Sequence, residues 1–280
     1  MTRQQTLEQA RQLLSSANID DATIEAEILL MHALNIQRTQ LYCEPWEELT
    51  PGQSADFWQT IERRIKNEPS AYITGHREFY GLDFIVNFSV LIPRPETELL
   101  VEKVIEQTVG FRKPVIVDVG TGSGVIAVSV AVHVTGARIY ATDISPAALQ
   151  VARENACNHN VADKIQFLRG DLLSPVPAKA DIIVANLPYV TLKDLASVNT
   201  VGYEPSLALN GGEDGLDIIR RLCSQVKDKL NPDGCVLLEI GVGQADAVVQ
   251  LLRELFPLAD IEILPDFSGI DRVVRMTLAN

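Results

Sequence analysis

The run Val115-Ile116-Val117-Asp118-Val119 passes straight into Gly120-Thr121-Gly122-Ser123-Gly124, and an apolar helical pattern over 125–134 opens on the next residue. No other feature narrows the fold so far. A short, almost wholly apolar run rich in β-branched residues reads as a strand buried on both faces. Alternating glycines let the chain reverse sharply and let a ligand lie against the backbone. The helix that follows offers free N–H groups and a partial positive charge, which suit a carboxylate or a phosphate.

The rest of the C-terminal part repeats this alternation. Strand-like runs fall at 115–119, 138–142, 165–169, 181–185, 235–240, 260–264 and 272–278, with helical patterns at 97–107, 125–134, 146–157, 216–230 and 244–255. Such alternation predicts an α/β fold with a doubly wound, mostly parallel sheet. Only the loop 265–270 separates the last two runs. A parallel pair needs a longer crossover, so one of them should run antiparallel to the rest.

The N-terminal part differs. Leu7, Ala10, Leu13 and Leu14 recur at helical spacing, as do Ile24, Ile28, Met31 and Leu34. Thr50-Pro51-Gly52-Gln53 supplies a cap, a first-turn proline and a capping-box glutamine, and Phe57, Ile61 and Ile65 follow on one face. Four or five short helices are expected. The stretch Glu78-Phe79-Tyr80-Gly81-Leu82-Asp83-Phe84-Ile85-Val86 then reads as strand, tight turn and strand. The expected division is a helical domain over 1–73, a β-hairpin linker over 74–92 and a cofactor-binding α/β domain over 93–280.

Charge bears on partners. The net charge is −13 over 280 residues, which opposes the phosphate neutralisation that duplex nucleic acid demands. A protein or small-molecule partner is favoured, with no direct nucleic-acid binding. The sequence has no apolar run long enough for a membrane helix, and Met1-Thr2-Arg3-Gln4-Gln5 leads into an amphipathic pattern rather than a signal. Four scattered cysteines and four scattered histidines indicate reduced thiols and no metal site, so a cytoplasmic location is expected.

Two details move the glycine loop away from a dinucleotide and towards S-adenosylmethionine. Its glycines run G-x-G-x-G, with Val125 where the dinucleotide fingerprint wants Gly or Ala, and Asp118 stands two residues before Gly120. Asp143 ends the second strand run, where a carboxylate can accept from ribose hydroxyls; Ser145-Pro146 already supplies the cap of the next helix. Asp171 ends the third run and could accept from an adenine amine, with Phe167 or Leu172 against the ring.

The fourth run, Ile182-Ile183-Val184-Ala185, ends in Asn186-Leu187-Pro188-Tyr189. Open α/β sheets bind ligands at the carboxyl ends of their strands. A planar nitrogen in an amide or an aryl amine has a delocalised lone pair and is a poor nucleophile. Two acceptors aimed at its two N–H bonds localise that pair; the Asn186 side-chain oxygen and the Leu187 carbonyl are candidates. Tyr189 can pack on the flat group, and Pro188 stiffens the turn. The same logic serves a glutamine amide or the N6 amine of adenine in DNA or RNA. No general base is evident.

These features together resemble the HemK/PrmC family, the glutamine N5-methyltransferases of peptide-chain release factors. The likeness extends over nearly the whole chain. It rests on Glu68-Pro69-Ser70-Ala71-Tyr72-Ile73-Thr74-Gly75, on His76-Arg77-Glu78-Phe79-Tyr80-Gly81, and on Leu91-Ile92-Pro93-Arg94-Pro95-Glu96-Thr97-Glu98. The glycine loop, Asp143, the tetrapeptide and Glu204-Pro205-Ser206-Leu207-Ala208-Leu209 follow in family order. The resemblance implies a helical N-terminal substrate-recognition domain, a hairpin linker and a Rossmann-like seven-stranded class I methyltransferase domain. It implies that Gly120–Gly124, Asp143 and Asn186 contact the cofactor, and that Asn186 to Tyr189 hold the glutamine of a release factor's Gly-Gly-Gln loop. One departure stands out: the family usually has Asn-Pro-Pro-Tyr, whereas Leu187 occupies the second position here. Arg94, Glu96, Thr97, Glu98 and Glu239 lie near the expected site, with no role that the sequence alone assigns.

Overall fold

The computed structural model describes residues 1–195 and 202–278. The chain separates into two compact units, Met1–His76 and Arg77–Asn280.

The first unit is helical: α1 (Arg3–Ser16), α2 (Ala22–Leu34), α3 (Arg38–Cys43), α4 (Pro51–Ile65) and α5 (Ser70–Thr74). Capping boxes open α1, through Thr2 and Gln5, and α4, through Thr50 and Gln53. Its core gathers Leu14, Leu29, Leu30, Leu41, Phe57 and Ile61. The buried face of α2 is not the one the spacing suggested. Ala26, Leu29 and Leu30 are buried, whereas Ile24 is exposed. This helix is apolar on nearly every side, so periodicity cannot choose its inner face; packing against α1 and α4 does. Leu13 and Ile65 likewise reach solvent.

The second unit opens with a hairpin, β1 (His76–Phe79) and β2 (Leu82–Ile85). Tyr80 and Gly81 both take positive φ, 53° and 71°, as a two-residue turn matched to strand twist requires. The hairpin packs within this unit. Phe79 and Phe84 are buried with Leu100 and Val101. Asn155 clamps its second strand: Oδ1 accepts from Ile85 N–H at 2.8 Å and Nδ2 donates to Ile85 C=O at 3.0 Å.

Beyond it run α6 (Glu98–Gln107), β3 (Val115–Val119), α7 (Val125–His133), β4 (Arg138–Asp143), α8 (Pro146–Asn158), β5 (Ile165–Arg169), β6 (Ala180–Ala185) and the short α9 (Leu192–Leu195). The chain ends with α10 (Asp217–Lys229), β7 (Leu230–Glu239), α11 (Ala245–Leu255), β8 (Asp260–Pro265) and β9 (Asp271–Thr277). The seven-stranded sheet has the order β5-β4-β3-β6-β7-β9-β8. Among the described strands of this sheet, β9 alone runs opposite to the other six, the reversal that the short 265–270 loop demanded. Strand β7 starts at Leu230, well before its apolar run, because Leu230 pairs with Ala180 across a register shift.

Side chains alternate between two cores. Ile116, Ile182 and Val184 face α6, α7 and α8, while Val117, Val119 and Ile183 face α10 and α11. Strand order reverses direction between β3 and β6, and ligands lodge beyond the carboxyl ends of strands at such a switch point. Among the described residues no helix is long and apolar enough to cross a membrane.

Candidate active site

Parallel pairing sets Val119 of β3 opposite Ala185 of β6. The glycine loop and Asn186 therefore emerge side by side. Gly120, Gly122 and Gly124 take φ of 72°, 55° and 84°, conformations that cost other residues strain. A side chain on Gly120 would also come within 3.0 Å of Leu187 Cδ2. Leu187, the departure from the resembled motif, is buried and packs on the loop.

Two carboxylates hold the loop. Asp118 accepts from Thr121 Oγ1 at 2.5 Å and from Ala127 N–H at 3.2 Å, both on Oδ2. Among the described residues its Oδ1 is buried without a partner. Burial pushes this acid up to about 7, against the two hydrogen bonds. Asp143 accepts from Gly122 N–H at 3.0 Å and Ser145 N–H at 2.8 Å. Burial raises its pKa as well, against hydrogen bonds from backbone N–H groups. Ser145 caps α8 through Ala148 N–H, so Asp143 is not the cap.

A cleft partly open to solvent runs over these elements. Gly120 to Ser123, Asp143, Asp171, Leu172 and Asn186 to Pro188 all line it. The neighbours of Asp171 were not visible in sequence: Arg221 Nη2 lies 2.7 and 2.6 Å from its two oxygens, on the exposed rim. Leu172 is buried with φ 51°. Gly124 and Tyr189 fall outside the lining. Gly124 instead lets α7 approach α8, since a Cβ there would lie 3.0 Å from Ala152 Cβ.

Thr97 also lines the cleft: Asn186 Nδ2 donates to Thr97 Oγ1 at 3.0 Å, and Thr97 Oγ1 donates to Glu239 Oε2 at 2.7 Å. Tyr189 Oη donates to Glu239 Oε1 at 3.2 Å. Burial pushes Glu239 up to about 7, against these two bonds and the Arg272 charge. It also raises the Tyr189 phenol, with the Glu239 charge adding to the effect. The backbone beyond is pinned by Gln244, which donates to Tyr189 C=O at 3.0 Å and accepts from Gly241 N–H at 2.8 Å. On the near side, Arg94 pairs with buried Glu204 at 2.6 Å, and Glu204 accepts from Ile92 N–H at 3.2 Å.

The order of the sheet and the glycine loop at its switch point define a class I methyltransferase. Known proteins narrow this. The PrmC N-terminal domain family matches residues 5–75, and the ribosomal protein L11 methyltransferase (PrmA) family matches residues 95–202. A release factor glutamine methyltransferase of Moorella thermoacetica is 44% identical over 274 residues, covering 97% of both chains. One from Koribacter versatilis is 42% identical and covers 98% of both. A solved methyltransferase from Pyrococcus furiosus, 16% identical with a TM-score of 0.53, covers 72% of this chain and 91% of its own, and shares the fold. The chain belongs to the release factor glutamine methyltransferase family.

Proposed function

We propose that this protein transfers a methyl group from S-adenosylmethionine to the side-chain amide nitrogen, N5, of the glutamine in the Gly-Gly-Gln loop of a peptide-chain release factor. The observation that carries the proposal is the setting of Asn186. Its amide nitrogen is engaged by Thr97, its Oδ1 makes no hydrogen bond among the described residues, and it lines the cleft beside the glycine loop.

The residues fit the cofactor. The glycine loop leaves room for backbone approach, and Asp143 lines the cleft at the end of β4. On this reading Gly120–Ser123 cradle the methionine end, Asp143 accepts from the ribose, and Asp171 and Leu172 bound the adenine. The bound cofactor supplies an electrophilic methyl group. Asn186 Oδ1 and the Leu187 carbonyl accept the two amide hydrogens and localise the nitrogen lone pair, while Tyr189 packs against the amide plane. Leucine at 187 keeps the carbonyl this role needs. Holding nitrogen in line with the methyl carbon is most of the work, and the proton of the methylated nitrogen passes to water. The helical domain over 1–73 would recognise the release factor, in the cytoplasm, without nucleic acid or membrane.

The test is mass spectrometry of release factor after incubation with the enzyme and S-adenosylmethionine, beside parallel DNA and RNA samples. One added methyl on the Gly-Gly-Gln glutamine is expected. Label entering only the nucleic acid would overturn the proposal and favour an adenine-N6 methyltransferase.

A further inference from the structure

We propose that Thr97 and Glu239 are positioning residues that fix which way the Asn186 amide faces, so that its oxygen, not its nitrogen, meets the substrate. The inference rests on the function proposed above and extends it to two residues outside the tetrapeptide.

An asparagine amide is nearly symmetric in shape, with one end accepting and the other donating. Only the acceptor end can take an N–H from a substrate amide; the reversed rotamer would set donor against donor. Something must break the symmetry. The Thr97 hydroxyl lies between Asn186 Nδ2, at 3.0 Å, and Glu239 Oε2, at 2.7 Å. A hydroxyl has one hydrogen to give. An ionised carboxylate only accepts, so it claims that hydrogen and leaves the Thr97 oxygen free only to accept. Thr97 therefore selects the Nδ2 end of Asn186 and turns Oδ1 to the cleft. The second oxygen of Glu239 accepts from Tyr189 Oη at 3.2 Å. One carboxylate at the end of β7 thus holds both side chains that are to grip the substrate.

Polarity along this chain depends on the charge of Glu239. Protonated, it would donate in turn and release the Thr97 hydrogen for Asn186 Oδ1, the unproductive direction. Glu239 is 1% exposed. The groups acting on it are Thr97, Tyr189, the Arg272 cation and the Glu96 carboxylate, and Arg272 is itself paired with Asp266 at 3.1 Å. Burial dominates and sets its titration at about 7. A raised carboxylate pKa means that the productive polarity is gained as pH rises through that value.

The test has a structural arm and a kinetic arm. In the cofactor-free full chain, the Asn186 side-chain NH2 signal is assigned by its loss in Asn186→Ala and followed by ¹⁵N NMR across neutral pH. It should titrate near pH 7, and Glu239→Gln should abolish the titration. In the kinetic arm, Thr97→Val should lower kcat about tenfold, the size of one lost hydrogen bond; Thr97→Ser should restore kcat. An Asn186 signal that is indifferent to pH, or a Glu239→Gln protein with the wild-type titration, would overturn the inference. So would wild-type kcat in Thr97→Val. The NMR arm needs no turnover, so its failure is distinct from a failure to methylate release factor.

Discussion

Replacing Asp143 by alanine should weaken cofactor binding by about 2 kcal/mol, close to a thirtyfold rise in Kd. The magnitude follows from what the carboxylate holds. One oxygen fixes the Gly122 N–H at the centre of the glycine loop, at 3.0 Å, and the other fixes the Ser145 N–H at the start of α8, at 2.8 Å. Hydrogen bonds to a charged acceptor contribute about 1.5–3 kcal/mol each. Water can replace part of this at a half-buried site, and the proposed ribose contact would be lost as well. Asp143→Asn keeps one acceptor and turns an N–H toward the other donor, so a smaller loss is expected, about 1 kcal/mol or fivefold. Calorimetry with adenosylhomocysteine measures both, and a thermal melt of each variant establishes that it is folded. Unchanged affinity in a folded Asp143→Ala protein would refute the assignment of Asp143 to the cofactor.

Three further outcomes are expected. Asn186→Ala should lower kcat about a hundredfold, the loss of one preorganised acceptor worth roughly 3 kcal/mol, while calorimetry shows cofactor affinity largely intact; near-normal turnover would contradict its role. Gly124→Ala should lower Tm, because φ is +84° and the new Cβ would lie 3.0 Å from Ala152 Cβ; a cost of about 1–3 kcal/mol is expected, and an unchanged melt would show that α7 and α8 separate freely. Asp118 titrates near 3.8 when unfolded and at about 7 in the fold, so the fold holds an extra proton between those values and loses stability as pH rises through them. Asp118→Asn should therefore flatten the dependence of Tm on pH across that window in the cofactor-free protein, and a wild-type slope would count against the buried acid.

Much of this was legible in the sequence because the signals were local. Val115–Val119, the glycine loop and the tetrapeptide each combine residue type with immediate context, and Gly120 to Ser123 and Asn186 to Pro188 line one cleft, with Gly124 and Tyr189 outside it. That one of the last two strands would run antiparallel followed from loop length; which of them does, β9, did not. What escaped depended on partners far away in the chain. Thr97 meets Asn186 across 89 positions and Glu239 across 142, so neither had a derivable role, although Thr97 stood inside a conspicuous run. Arg221 reaches Asp171 from another helix, and no spacing rule announces that. The inner face of α2 was misread for a different reason: a helix apolar almost all round carries no periodic signal, and its neighbours decide. The hairpin was recognised, but its union with the second unit depends on Phe79, Phe84 and the Asn155 clamp.

The most direct examination of the central claim is a crystal structure with adenosylhomocysteine and a glutamine-containing release-factor peptide. The account predicts the glutamine amide nitrogen within about 3.2 Å of both Asn186 Oδ1 and the Leu187 carbonyl oxygen, with its free face toward the cofactor sulfur. A glutamine bound elsewhere, or an Asn186 that presents its nitrogen to the peptide, would contradict it.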